Sequence, residues 1–157
     1  MNIPLRETAA DEEIILGEIA SSLGFLLRLA QVRVFDDFFE ALSAQGLRPG
    51  EFTMLWVIAL NPGVRQGVIA QKLRIKPAHM TKLVQRAVDA GRIARSVPGD
   101  DRRSVHLRLT PAGEQFVEEN RPRLLRQFAR ENTILDDQEF AMLIRLLQKF
   151  SGMEGHS

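Results

Sequence analysis

Between Pro62 and Thr110 the chain concentrates cations. Eleven Lys and Arg residues (Arg65, Lys72, Arg74, Lys76, Lys82, Arg86, Arg92, Arg95, Arg102, Arg103 and Arg108) stand against 3 acids (Asp89, Asp100 and Asp101), so the segment carries +8. The whole chain is +1, which leaves −7 on the rest. Guanidinium and ammonium groups at this density neutralise a polyanion, with an affinity that falls steeply as salt rises because counterions are released. Among them, His79 and Gln85 offer the donors and acceptors that read base edges in a DNA groove. The segment holds no Phe, Trp or Tyr, so it lacks the stacking platforms of single-strand RNA readers.

Other chemistries are excluded by residue type and spacing. The chain has no cysteine, hence no thiolate nucleophile, disulfide or thiol redox sensor. His79, His106 and His156 fall on different elements, without the His/Glu spacing of a metal site. There is no glycine-rich phosphate loop and no nucleophile elbow. The acid pairs Asp100-Asp101 and Asp136-Asp137 fall at a turn and a helix start, where local structure accounts for them. No catalytic residue, metal or cofactor is expected. No apolar run approaches the ~18 residues of a membrane span, and MNIPLRETAADEE lacks the charged-then-apolar pattern of a signal segment. The expected location is the cytoplasm, with no membrane partner. A length of 157 residues suits one domain with a core.

Two short helices and a hairpin must position the cations. Val68, Ile69 and Leu73 give residues 66–73 an apolar face at helical spacing. Arg74-Ile75-Lys76 makes a turn, with Ile75 plugging the angle between the helices. A second helix starts at Pro77, a residue suited to a first helical position. Met80, Leu83, Val84 and Ala87 mark its buried face, and Gly91 ends it. The opposite face carries Ala78, His79, Lys82, Gln85 and Arg86. Beyond Gly91 the period shortens to two: Ile93 and Arg95, then Val105, Leu107 and Leu109, read as half-buried strands around a turn-rich loop, 97–104. An arginine on such a tip can enter a minor groove, and an adjacent aspartate can hold its guanidinium. This is the outline of a winged helix-turn-helix. Arg65, Arg74, Lys76 and Arg86 are expected on phosphates; His79, Lys82 and Gln85 are expected on base edges. His106 and Arg108 are expected on the solvent face of the wing.

The flanking chain is helical by pattern. A stripe from Leu16 to Leu42 predicts one helix over about 13–44, roughly 45 Å long, and Phe25, Val32, Phe35 and Phe39 widen its apolar face. A second helix over 51–60 carries Phe52, Leu55, Trp56 and Ala59. Thr110-Pro111 opens a third, in which Pro122 predicts a kink or break near Asn120. Asp136 and Glu139 form a capping box for a last helix bearing Phe140, Leu143, Ile144, Leu147 and Phe150. So much apolar helix exceeds what one winged module can cover. The expected fold is mainly α: a winged module over 61–110 and an all-helical dimerisation region from 1–60 and 111–157.

The wing motif Asp101-Arg102-Arg103, followed by Leu109-Thr110-Pro111-Ala112-Gly113, resembles the MarR family of bacterial transcription regulators, and the likeness runs over nearly the whole chain. It implies Arg103 as the minor-groove arginine and Asp101 as its partner, with Pro77, Ala78, His79 and Lys82 facing the major groove. It implies a homodimer on double-stranded DNA, its pseudo-palindromic operator having half-site centres about 10 bp apart. It further implies repression, released by a small aromatic or anionic compound or its acyl-CoA thioester bound between the dimer helices and the winged module. Phe35, Phe38, Phe39, Met54 and Trp56 are then candidate walls, with Arg28 and Arg33 as holders of a carboxylate or phosphate. The sequence departs from the family at His79, where a small hydroxyl residue is usual, and at Lys76, where a capping acid or hydroxyl is usual. Base preference is therefore not implied, and Lys76 is expected on a phosphate rather than as a cap. The competing reading, a winged-helix protein-interaction module, needs an apolar exposed face on the second helix; the face here is polar and basic.

Overall fold

The structure, a computed structural model, describes residues 14–42, 48–97, 104–130 and 134–153, the side chains of 36–42, 49, 123 and 126–130 excepted. The chain divides into two compact units, Met1–Arg33 and Val34–Ser157. The single helix expected over 13–44 is interrupted. A 3-10 turn spans Gly17–Ser21, Ser22 is extended (φ −71, ψ 125), and helix α1 runs Leu23–Leu42. Gly17 takes φ 54, and the Ser21 hydroxyl donates to the Glu18 carbonyl at 3.0 Å, a local bond that competes with the helical ladder. An apolar stripe carries no record of such a break, because Leu16 and Ile19 fall in phase with Leu23 on either side of it. At 20 residues α1 is roughly 30 Å long.

The second unit continues with α2 (Pro49–Leu60), β1 (Val64–Arg65), α3 (Gln66–Lys72), α4 (Pro77–Asp89), β2 (Ile93–Ser96), β3 (His106–Leu109), α5 (Pro111–Arg130) and α6 (Asp137–Phe150). The strands form one antiparallel sheet in the order β1-β3-β2. Leu107 is its central residue, opposite Val64 on one side and Arg95 on the other. The core gathers Met54, Leu55 and Ile58 from α2, Ile69 and Ala70 from α3, Met80, Leu83, Val84 and Ala87 from α4, Ile93 and Leu107 from the sheet, and Val117 from α5. Each large side chain so placed contributes about 1.5–3 kcal/mol. Helix α2, grouped by sequence with the dimerisation region, thus lies within the core of the winged module, and a boundary at residue 60 cuts through packed structure. The reason is its composition. Trp56, Val57 and Ala59 are half-buried around the fully buried residues, and a helix apolar on all sides needs cover on more than one.

Helix α5 begins as its sequence predicts. The Gly113 amide donates to the Thr110 hydroxyl at 3.1 Å, and that hydroxyl donates onward to the Gly91 carbonyl at 2.6 Å. The Thr110 amide donates to the Arg92 carbonyl at 3.0 Å, and a Cβ at Gly113 would lie 2.1 Å from that same oxygen. Of the kink or break expected near Asn120, the break does not occur: α5 runs unbroken through Pro122 to Arg130. Pro122 and Glu118 are both exposed, so the carbonyl that loses its partner can turn to water. Helix α6 has the capping box anticipated, with Asp136 accepting from the Gln138 and Glu139 amides and Glu139 accepting from the Asp136 amide. Its Met142, Leu143, Ile144, Leu146 and Phe150 are exposed. Among the described residues, no helix is long and apolar enough to cross a membrane.

Two glycines should respond oppositely to a methyl group. Gly113→Ala must push backbone against backbone and is expected to cost about 3 kcal/mol, the upper range for overpacking. Gly67→Ala, helical and with nothing within 4 Å, is expected to stabilise by about 0.5–1 kcal/mol. Urea midpoints check both; a neutral Gly113→Ala would remove the close approach as a constraint.

Candidate nucleic-acid interface

Helix α4 is held from behind. Met80, Leu83, Val84 and Ala87 are buried as expected, leaving Ala78, His79, Lys82, Gln85 and Arg86 exposed. Its angle to α3 is fixed by three contacts. Ile75 packs half-buried on the core, and its amide donates to the Ala70 carbonyl at 2.9 Å. The Gln66 side-chain Nε2 donates to the Thr81 hydroxyl at 3.2 Å, which in turn donates to the Pro77 carbonyl at 3.0 Å. On α3 the buried residues are Ile69 and Ala70, whereas Val68, expected inside, is exposed. The turn places Arg74 at φ 55, a left-handed conformation that sequence reasoning did not foresee. Lys76 stands at the N-cap of α4 and makes no side-chain capping bond, since its ammonium is a donor only and cannot accept from the helix amides. At the far end Gly91 (φ 68) closes α4: its amide donates to the Val88 carbonyl at 2.8 Å and the Arg92 amide to the Ala87 carbonyl at 2.9 Å, the paired bonds of a Schellman ending.

The cations sort into two groups. Arg65, Arg74, Lys76 and Lys82 are exposed and have no ion-pair partner among the described residues. Arg65 sits at the end of β1, opposite His106, and lines a surface recess with Gln66, Gly67 and Ser104. The second group is engaged. Arg95 on β2 donates to the Gln85 amide oxygen at 2.9 Å, while the Gln85 nitrogen donates to Asp89 at 2.6 Å. Both ends of the Gln85 amide are therefore occupied, and the residue expected to read a base ties α4 to the wing. Arg86 lies 3.2 Å from the Glu51 carboxylate. Glu51 is buried and escaped sequence reasoning. The available signal was an acid in the first turn of a helix that, Thr53 apart, is apolar along Phe52–Leu60. His106 is half-buried and Arg108 exposed. Asp101 and Arg103, at the wing tip, lie outside the described residues.

The effector candidates fall on both units, Arg28 and Arg33 on the first and Phe35, Met54 and Trp56 on the second. Met54 is 0% exposed; it belongs to the core, which corrects its reading as a pocket wall. Trp56 is half-buried, edge-on to Phe52 at 6.1 Å, with the Arg121 guanidinium 5.8 Å from its ring. Phe35, Arg28 and Arg33 are exposed. The side chains of Phe38 and Phe39 lie outside the described residues. None of these residues lines the recesses that flank α3, and no metal-binding cluster occurs among the described residues. What the surface offers is a rigid helix of 13 residues with a polar, basic face, dimensions that a DNA major groove admits.

Comparison with known proteins agrees with that chemistry. A family model described as MarR family matches residues 45–104. A putative transcriptional regulatory protein for the hcr operon of Thauera aromatica is 33% identical over 138 residues, covering 87% of this chain and 83% of the relative. The solved structure of the transcriptional repressor CouR bound to a 23-mer DNA duplex aligns with TM-score 0.81 and 29% identity, over 89% of this chain and 99% of that one. CouR bound to p-coumaroyl-CoA aligns with TM-score 0.79 and 26% identity, over 88% and 98%.

Lys76 sits where a capping side chain would stabilise the helix. Lys76→Ser is expected to raise stability by about 1 kcal/mol, and to reduce the slope of log affinity against log salt on DNA by about 1. Thermal unfolding and a salt titration check the two effects separately. An unchanged slope would take Lys76 off the phosphates.

Proposed function

The chain belongs to the MarR family of winged helix-turn-helix transcription regulators, and from that premise we propose how its own residues bind and release DNA. The protein is a transcription regulator whose partner is double-stranded DNA. The observation that carries the reading is the division of α4, with four apolar residues buried behind a polar, basic front. In the proposed complex His79 and Lys82 read base edges in the major groove, beside Pro77 and Ala78. Arg65, Arg74 and Lys76 contact phosphates and set the register. Arg103, supported by Asp101, enters the minor groove from the wing.

The proposed assembly is a homodimer in the bacterial cytoplasm. It is supported by the exposed apolar side chains of α1 and α6, which are costly to leave in water and which a two-fold interface would cover. Two reading heads then meet successive major grooves of a pseudo-palindrome. A dimer so placed blocks polymerase, hence repression. The effector is proposed to be an aromatic acid presented as its acyl-CoA thioester, supported by the likeness to CouR, which is bound to p-coumaroyl-CoA. No catalytic role is assigned to any residue.

Fluorescence anisotropy on the DNA upstream of the gene tests this. Wild type is expected to prefer that duplex over a scrambled one by 10³-fold or more, with His79→Ala losing preference and Arg103→Ala losing affinity. Saturating aryl-CoA is expected to release the duplex where free CoA does not. Equal binding with and without aryl-CoA would remove that effector class. Absence of any preferred duplex, even after selection from random sequences, would leave the winged module to a protein partner.

A further inference from the structure

Glu51 is the one buried carboxylate among the described residues, at 2% exposure, and two cations converge on it from different elements. Arg86 on the last turns of α4 approaches one oxygen at 3.2 Å; Arg92, in the turn entering β2, stands 4.0 Å from the other. The Arg92 guanidinium also lies 4.1 Å over the Phe116 ring of α5, and Phe116 tilts against Phe52 of α2 at 6.3 Å. A single carboxylate thus joins α2, the far end of the reading helix, the base of the wing and α5. Removing a desolvated carboxylate from water is costly unless cations stay beside it, and withdrawing one partner leaves an uncompensated buried charge. Arg86, 42% exposed along its side chain, is drawn towards Glu51 by the ion pair alone, since the facing carboxylate oxygen has no hydrogen-bond partner among the described residues. An arginine reaching out to a phosphate would have to weaken that pair.

We infer that Glu51 and Arg86 form a positioning pair that sets the pose of α4 for operator recognition, and that Arg86 acts through Glu51 rather than on a DNA phosphate. The inference rests on the DNA-binding reading and adds to it a determinant of specificity remote from the bases. A phosphate contact and a positioning contact differ in a measurable way. Losing the first weakens all DNA alike and lowers the salt dependence. Losing the second tilts α4, which harms base-edge contacts and spares the counterion count.

The test uses the full-length protein on operator and scrambled duplexes over a salt series, with Arg86→Met, Arg86→Lys, Glu51→Gln and the double variant Glu51→Gln/Arg86→Met. Arg86→Met is expected to weaken operator binding about tenfold, with the affinity for scrambled duplex and the salt slope unchanged. Arg86→Lys is expected to restore most of the loss. The double variant should bind no worse than Glu51→Gln alone. Equal weakening on both duplexes, with a slope lower by about 1 and additive losses in the double variant, would overturn the proposal and return Arg86 to the phosphates. Should Glu51→Gln unfold, Arg86→Met alone decides through the slope, since its substituted side chain faces solvent in part. Should wild type show no operator preference, the DNA reading falls by itself. A double-mutant cycle of Glu51 and Arg86 in thermal unfolding then decides the pair, and additive effects there would overturn it.

Discussion

The reading surface depends on a backbone-to-backbone contact between the turn after α4 and the first turn of α5. The Arg92 carbonyl meets the Thr110 amide and leaves no room for a side chain at Gly113. The Thr110 hydroxyl bonds both the carbonyl of Gly91 and the amide of Gly113. Side chains adjust by changing rotamer; backbones in direct contact cannot. The exit of α4, the base of the sheet and the start of α5 therefore form one rigid corner. The Leu109-Thr110-Pro111-Ala112-Gly113 motif acquires a physical meaning there: a strand end, a cap, a preset first residue and a glycine where any larger residue collides.

Behind that corner the charges divide by task. At the N-terminal half of α4 and along the turn, Arg74, Lys76 and Lys82 have no ion-pair partner among the described residues, and the helix amides beside them add to a positive field. At its C-terminal half, Gln85 and Arg86 are tethered to Arg95 and Glu51. One end of the helix is left to meet a ligand while the other is fastened to its scaffold. Fixing the scaffold in advance lowers the ordering cost of association, since fewer groups lose freedom on contact.

The sequence made the winged module legible in proportion to its period. The buried face of α4 repeats over 13 residues, and its period alone marks Met80, Leu83, Val84 and Ala87. The strands around Leu107 alternate, and the caps at Thr110 and Asp136 carry their own chemistry. What escaped was short, local or compensated. Strand β1 has two residues, too few to alternate. The break at Ser22 lies in a stripe that stays in phase across it. Pro122 promised an interruption, yet an exposed carbonyl can find water in place of its lost partner. Met54 reads as a pocket wall yet is fully buried, because an apolar helix does not say which of its sides meets the core. Glu51 and Arg86 are 35 residues apart in the chain, and no spacing rule connects them.

Arg74 bears a further consequence. It makes the sharp helix-turn-helix corner in a left-handed conformation that costs an L-residue with a Cβ roughly 1–2 kcal/mol and comes easily only to glycine or asparagine. The protein is thus less stable at this position than its backbone permits, and the residue that causes the deficit is an exposed cation in the turn between α3 and α4. If Arg74 contacts phosphate as proposed, heat and DNA pull this position in opposite directions. Variants selected for thermal endurance alone should drift there to glycine or asparagine, while variants selected for occupancy of a promoter should keep the arginine. The identity found at residue 74 in such an experiment would report which pressure had acted.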